Sequence, residues 1–378
     1  MKFEIETRAL QRAIKVLGIV VHANAPDATG RILIELQEDE ATLTGNNGST
    51  DVVLTVPVTD VEGEGAVAIA YGEIKSFVSS FRPFDGTHGV KGLKFITDER
   101  NVRIIAQNVL SDGKKARSVL KASSFNPASF QKPRTFEDVT FIMNSTVFRS
   151  ALDRVLYSVN PDLILSIPAI QVMHISFDED SICFVGSDAR VLSEYQIPNN
   201  SDNKDGSVTL KYDFIMGLRR LLIDDIQLFW EIKSDRIFVK FEDIVFSGGY
   251  IIGHEYPDYK SSFDNYTDHV NFSREFLRQA ISPIIDVLDP DDNYRITFEI
   301  KDKIVRIYSA QGEMSAEQNI QGGLDYSIDL NGVLFAQTIE AIKDDNVVFK
   351  FSDEDGLIIF ESSTRNDHKA LILPLSKH

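Results

Sequence analysis

Three basic residues stand at Arg8, Arg12 and Lys15, spaced i, i+4, i+7. On an α-helix that spacing places all three on one face. A row of fixed cations is chemistry for phosphate: it neutralises a polyanion without reading its bases. Such residues recur along the chain, at Lys75 and Arg82, Arg149 and Arg154, Lys211, Arg219 and Arg220, Arg274 and Arg278, and Lys343. Each group lies in or beside a segment with apolar residues at helical spacing. On any single helix these would be ordinary solvated side chains. Five basic helices out of six equivalent ones, in a chain of net charge −18, imply a surface where positive charge collects while acid collects elsewhere.

Other chemistries lack their residues. The chain contains no GxxxxGK[ST], HExxH or GxSxG, and no paired Cys/His set. No enzyme activity, metal or cofactor is therefore expected. A nuclease would need carboxylates converging from different strands, whereas the acids cluster in turns at 38–40, 178–180 and 353–355. The one cysteine, Cys183, sits in an apolar run and reads as a buried structural thiol, so no intrachain disulfide forms. No RNP motif, zinc-finger spacing or recognition helix points to base-specific reading. No apolar run is long enough to span a bilayer, and MKFEIETRAL has acids where a signal peptide needs an apolar core. A cytoplasmic protein without a membrane partner is expected.

The elements that carry the cations are repeated. FEIETRALQRAI (Phe3–Ile14), FIMNSTVFRSAL (Phe141–Leu152) and VNFSREFLRQAI (Val270–Ile281) align on Ala13, Ala151 and Ala280. A second phrase recurs at Val67–Phe81, Val208–Leu222 and Tyr326–Ile342. Each phrase is a period-2 stretch followed by helical periodicity. Charged turns between β-rich runs then mark hairpins, such as ILIELQEDEATLTG and KFITDERNVRIIAQ. The unit strand–helix–strands thus occurs six times, twice in each third. Polar, proline-bearing stretches at Ser123–Asp138 and His254–Asp268 separate the thirds. The expected organisation is α+β: three similar domains, 1–130, 131–260 and 261–378, each with two helices packed on antiparallel sheets.

Four stretches carry a family resemblance: MKFEIETRALQRAI, SDARVLSEYQIP (Ser187–Pro198), FVKFEDIVFSGGYIIGHEYPDY (Phe238–Tyr259) and the ending ALILPLSKH. SDARVLSEYQIP is similar to the TDGHRLA segment of the bacterial DNA polymerase III beta subunits, the replicative sliding clamps. In their order along a triplicated chain, the four make it resemble a divergent member of that family over its whole length. The resemblance implies the DNA clamp fold and a head-to-tail homodimer. Each chain would form half of a closed ring lined by helices and threaded by duplex DNA, a processivity factor for the replicative polymerase, placed by a clamp loader. It also implies a partner-peptide cleft. One wall falls on Val172, Ser187, Asp188, Ala189, Arg190, Val191 and Leu192, followed by Pro257, Ser261 and Ser262. Asn331, Leu334 and Leu357 come from the third domain, and Leu371, Ile372, Leu373, Pro374 and Leu375 close the cleft. Aliphatic area with a few orienting polar groups suits a peptide.

Three departures from the family pattern stand out. Ala189-Arg190-Val191 replaces the family's Gly-His-Arg, Ser261 replaces a basic residue, and Ser376, Lys377 and His378 extend the end. They imply a different peptide preference. Asp286-Val287 falls near the family's aliphatic pair at the dimer edge. The rival expectation is an acidic adaptor or DNA mimic that binds proteins only.

Overall fold

A computed structural model of the chain describes residues 1–376 except 99, 162–171, 200–204, 265, 267, 318–324 and 352–355. The acidic run 353–355 and the last two residues thus lie outside the described residues. Six helices occur among the described residues: α1 (Thr7–Leu17), α2 (Tyr71–Ser79), α3 (Ser145–Val155), α4 (Tyr212–Leu221), α5 (Arg274–Ile285) and α6 (Gly332–Ala341). Each follows a strand, as the repeated phrases require. In α1 the stripe Leu10, Ala13, Ile14 and Leu17 is buried while Arg8 and Lys15 are exposed. Ala13, Ala151 and Ala280, the residues on which the phrases align, are all 0% exposed. A larger side chain at any of them would push its helix off its sheet.

The chain divides into two compact units, 1–145 with 213–250 and 146–212 with 251–378. Each is built on one eight-stranded antiparallel sheet. In the first unit the strands run Gly65–Ala70, Arg31–Gln37, Glu40–Asn46, Thr50–Pro57, Ile244–Gly248, Ile237–Phe241, Gln227–Ile232 and Phe141–Asn144. In the second they run Gly206–Leu210, Met173–Phe177, Ser181–Ser187, Val191–Pro198, His368–Ile372, Ile358–Ser362, Asn346–Phe351 and Asp268–Ser273. The two lists match position by position. The expected hairpins are their building blocks, for example Ile34 opposite Leu43 and Ile175 opposite Phe184.

Each sheet is two half-units zipped along a central seam. In the first unit Thr50–Pro57 meets Ile244–Gly248, with Asp51 opposite Ser247. In the second Val191–Pro198 meets His368–Ile372, with Tyr195 opposite His368. Arg236 donates to the Asp51 carboxylate across the first seam, and Ser247 Oγ lies 3.2 Å from it. Burial nevertheless pushes Asp51 above the usual carboxylate range, with Arg236 opposing that rise.

Two smaller sheets carry the half-units that find no seam partner among the described residues. One is five-stranded and ends at Lys115–Ser123; the other is four-stranded and ends at Glu313–Glu317. By order in their sheets, Lys115–Ser123 is the counterpart of Ile244–Gly248, and Glu313–Glu317 the counterpart of Thr50–Pro57. Among the described residues both end strands are unpaired on one side.

Candidate nucleic-acid interface and peptide cleft

In the first unit α1 anchors the neighbouring helix. Gln11 Nε2 donates to the Val78 and Phe81 carbonyls at 3.0 and 2.8 Å, satisfying the end of α2. Tyr71 Oη donates to the Ile14 carbonyl at 3.0 Å. These bonds fix the side of α1 that carries Arg8 and Lys15, both exposed. Lys75 is exposed on α2, its Nζ 5.7 Å from the Tyr71 ring centroid. Arg82 lies beyond α2 and pairs with Asp85 at 2.9 Å. Arg219 and Arg220 are exposed in the last turn of α4, where cations also oppose the helix dipole.

Arg12 has a different role from its neighbours. Its guanidinium forks onto Asp243 at 2.6 Å and Glu242 at 2.8 Å, in the turn between two sheet strands. It braces α1 against that turn.

In the second unit Arg149, Lys211, Arg278 and Lys343 are exposed and Arg274 is half-buried. Arg274 Nε donates to the Ile339 carbonyl at 2.9 Å and so caps the end of α6, as Gln11 caps α2. Glu340 pairs with both Arg274 and Arg278. Lys343 Nζ donates to the Glu340 carbonyl at 2.8 Å. Desolvation lowers its pKa, and the nearby Arg274 and Arg154 add to the shift.

Arg154 departs from the expected surface position. It is 8% exposed, with its guanidinium 4.4 Å over the Tyr195 ring and bonded to Ser150. Stacking on an aromatic face replaces the water that a buried guanidinium loses. The signal was present in the sequence: Arg154 lies three residues after the buried Ala151, on the apolar side of α3.

The cleft residues all belong to the second unit. Ser187, Asp188 and Val191 are buried in a tight turn in which Ala189 takes a φ of 66°. The Asp188 carboxylate accepts from the Arg190 and Val191 amides and pairs with the Arg190 guanidinium at 2.9 Å. Arg190 and Leu373 are exposed side by side, since the Leu373 amide donates to the Arg190 carbonyl at 2.8 Å. Two residues on, the Leu375 amide donates to the Asp329 carbonyl, beside Asn331, whose side chain caps Leu334 at the start of α6. The terminal run thus passes from the Arg190 turn to the head of α6.

Leu192, Leu357 and Leu371 share a small cluster with Phe263, above which Ser261 is exposed. Pro257, Ser262, Leu334, Pro374 and Leu375 are half-buried. Val172 is 8% exposed. Val191 and Ile372 are 1% and 0% exposed and belong to the main core, so neither presents its side chain to a ligand.

Next to the cleft, Tyr259 Oη donates to the buried Glu194 carboxylate at 2.7 Å, with Cys183 Sγ 3.6 Å from the same hydroxyl. Burial, and then Glu194, push the Cys183 thiol up to about 12, so it stays protonated and inert. Removing the hydroxyl in Tyr259→Phe leaves Glu194 without this partner and is expected to cost about 1–3 kcal/mol in thermal unfolding. An unchanged melting temperature would show that the hydroxyl contributes nothing to stability.

Among the described residues no group of three or more His, Cys, Asp or Glu is placed to hold a metal ion. Among them, too, no helix is long and apolar enough to cross a membrane.

No protein-family profile matches the chain. It is 22% identical over 368 residues to the beta sliding clamps of several Staphylococcus aureus strains, covering 93% of this chain and 92% of each relative. Among solved structures, the DNA polymerase III subunit beta of Pseudomonas aeruginosa superposes with a TM-score of 0.85 at 17% identity, over 100% of both chains. The Streptococcus pyogenes beta subunit gives 0.83 at 19% identity, and a Helicobacter pylori beta clamp bound to a DNA ligase peptide gives 0.81 at 14%, again over 100% of both chains. With the doubled seam, the helix set and these full-length matches together, the chain carries the fold of the bacterial beta sliding clamps from end to end.

Proposed function

We propose that this protein is a polymerase processivity factor, a sliding clamp that closes around duplex DNA as a head-to-tail homodimer in the cytoplasm. The observation that carries this reading is the pair of unused sheet edges. The chain builds the same strand seam twice internally and keeps one half of a third seam at each small sheet. A second copy supplies the missing half, Lys115–Ser123 of one protomer against Glu313–Glu317 of its partner. Their charges agree: the first strand holds Lys115, Arg117 and Lys121 and no acid, the second holds Glu313 and Glu317 and no base. An interface between unlike surfaces that closes on itself makes a ring. Six half-units per chain, taken in pairs, give the three similar domains, 1–130, 131–260 and 261–378.

Duplex DNA would contact the exposed cations of the helices without base reading. Polymerase and loader peptides would lie between Arg190 and Leu373 on one side and Leu334 on the other; that a Helicobacter pylori beta clamp of the same fold is bound to a DNA ligase peptide supports a peptide as the ligand. The protein itself is proposed to have no catalytic role.

The test is retention on nicked circular plasmid, loss after linearisation, with clamp loader and ATP present. Equal release from both DNAs overturns the reading and favours a protein-binding adaptor. Removing Arg8, Lys15 and Arg220 together is expected to lower the slope of log affinity against log salt by up to about 2.7, roughly 0.9 per lost phosphate contact. An unchanged slope would mean that these faces of α1 and α4 do not meet DNA.

A further inference from the structure

A cavity of about 320 Å³ opens in the first unit between the ends of α1 and α4. Its floor is apolar, from Ile19, Phe241 and Ile244, and Ile223 stands at its mouth with 65% of its surface exposed. Lys15 and Arg220 stand on its rim. Neither forms an ion pair among the described residues, in contrast to Arg12 beside them, which is committed to Asp243 and Glu242. The brace matters for the cavity: Arg12 holds the turn at Glu242–Asp243, and the Asp243 carbonyl accepts the Thr55 amide at 3.2 Å, so the wall formed by Phe241 and Ile244 is fixed in place.

Phosphate contact alone explains the two free cations, but not an exposed isoleucine over an apolar floor. Two carboxylates also line the cavity, Glu242, which is paired with Arg12, and Asp224. Volume and lining match a small-molecule site, mostly apolar with a few convergent charges.

We propose that this cavity binds an amphipathic anion, a molecule with a flat aromatic or short aliphatic body and one carboxylate, sulfonate or phosphate group. The body lies on Ile19, Phe241 and Ile223, and the charged group lies between Lys15 and Arg220. Binding to the free protein requires no DNA. The consequence for DNA rests on the clamp reading: an occupied cavity takes two cations away from the duplex, so the ligand and DNA compete.

The probe is 8-anilinonaphthalene-1-sulfonate, whose fluorescence rises on entering an apolar site. Saturable binding at one molecule per chain is expected. Ile223→Glu, which puts a charge at an already exposed position, and the double variant Lys15→Gln with Arg220→Gln should each weaken it about tenfold, a loss of about 1.4 kcal/mol. Sodium sulfate at equal ionic strength should displace the probe only weakly, because the apolar body supplies much of the affinity. Non-saturable binding, or affinity unchanged in both variants, overturns the proposal. Retention of Ile223→Glu on nicked circular DNA is measured separately. Normal retention with lost probe binding supports the cavity site, whereas lost retention with intact probe binding overturns it.

Discussion

Proline at Ser118 or at Val119 is expected to leave one of the two variants as folded, single 42.4 kDa chains that no longer stay on circular DNA. Both residues lie in the end strand Lys115–Ser123, opposite Ala106 and Ile105 of the neighbouring strand. In an antiparallel pair successive residues point their N–H and C=O alternately toward and away from the partner. One of the two positions therefore bonds inward, and the other offers its amide to the free side. Proline at the outward position removes a donor that no strand among the described residues uses, so the chain folds normally. It also places a ring where the second copy's strand lies in the proposed assembly. Lost hydrogen bonds and steric conflict together amount to at least about 3 kcal/mol, a weakening of the dimer by a hundredfold or more. Proline at the inward position instead disrupts the sheet itself and lowers the melting temperature. Sedimentation separates the cases. If both variants keep a mass of twice 42.4 kDa and stay on nicked plasmid, the protein does not assemble through this edge.

Mild acid is expected to destabilise the second unit well before its carboxylates titrate. His368 lies wholly inside the fold, its Nε2 2.9 Å from Ser193 Oγ. Burial, reinforced by Arg154 and Lys343, lowers its pKa from 6.5 to about 3. His174, stacked on Tyr256 at 4.6 Å, is lowered by burial to about 4. Between these values and about 6.5 the unfolded chain binds protons that the folded chain refuses. Stability is therefore complete above pH 6.5 and falls progressively below it. At pH 5 the loss is about 2 kcal/mol from His368 and less from the more accessible His174. His368→Gln should flatten the fall between pH 7 and 5, whatever it does to stability at pH 7. The readout is the slope of unfolding free energy against pH. An unaltered slope would assign the acid sensitivity to other groups.

Residues adjacent along the chain made the element order readable. The three phrases around Ala13, Ala151 and Ala280 each combine a strand, a polar break and an apolar stripe, and each gave the expected helix. The acidic turns at 38–40 and 178–180 likewise gave hairpins. The seams were not readable. Nothing in TDVVLTVP says that it pairs with IVFSG, almost two hundred residues later, because both are ordinary alternating strands. The partners of individual cations were equally hidden, even where, as at Arg154, the spacing from Ala151 already placed the residue on the apolar side of its helix. Arg12 and Arg8 share one face of α1, yet carboxylates that only the fold brings near hold Arg12 and leave Arg8 exposed. Arg154 differs from Arg149 because Tyr195 arrives from another strand to cover it. In the cleft, the aliphatic character of Ile372 and Leu373 was plain, but only register across the second seam decides that the first points inward and the second outward.

The first seam also sets a timetable for synthesis. Thr50–Pro57 leaves the ribosome long before its partner Ile244–Gly248 exists, with roughly 190 residues still to be made. At ~5–20 residues per second the wait is about 10–40 s. For that time an apolar strand has one side unsatisfied, and it can pair with the same strand of another nascent chain. The second unit has the same problem, because Val191–Pro198 waits for His368–Ile372 at the very end. A chaperone that shields these strands, or slower initiation on each message, should therefore raise the soluble yield more than any change to the mature surface.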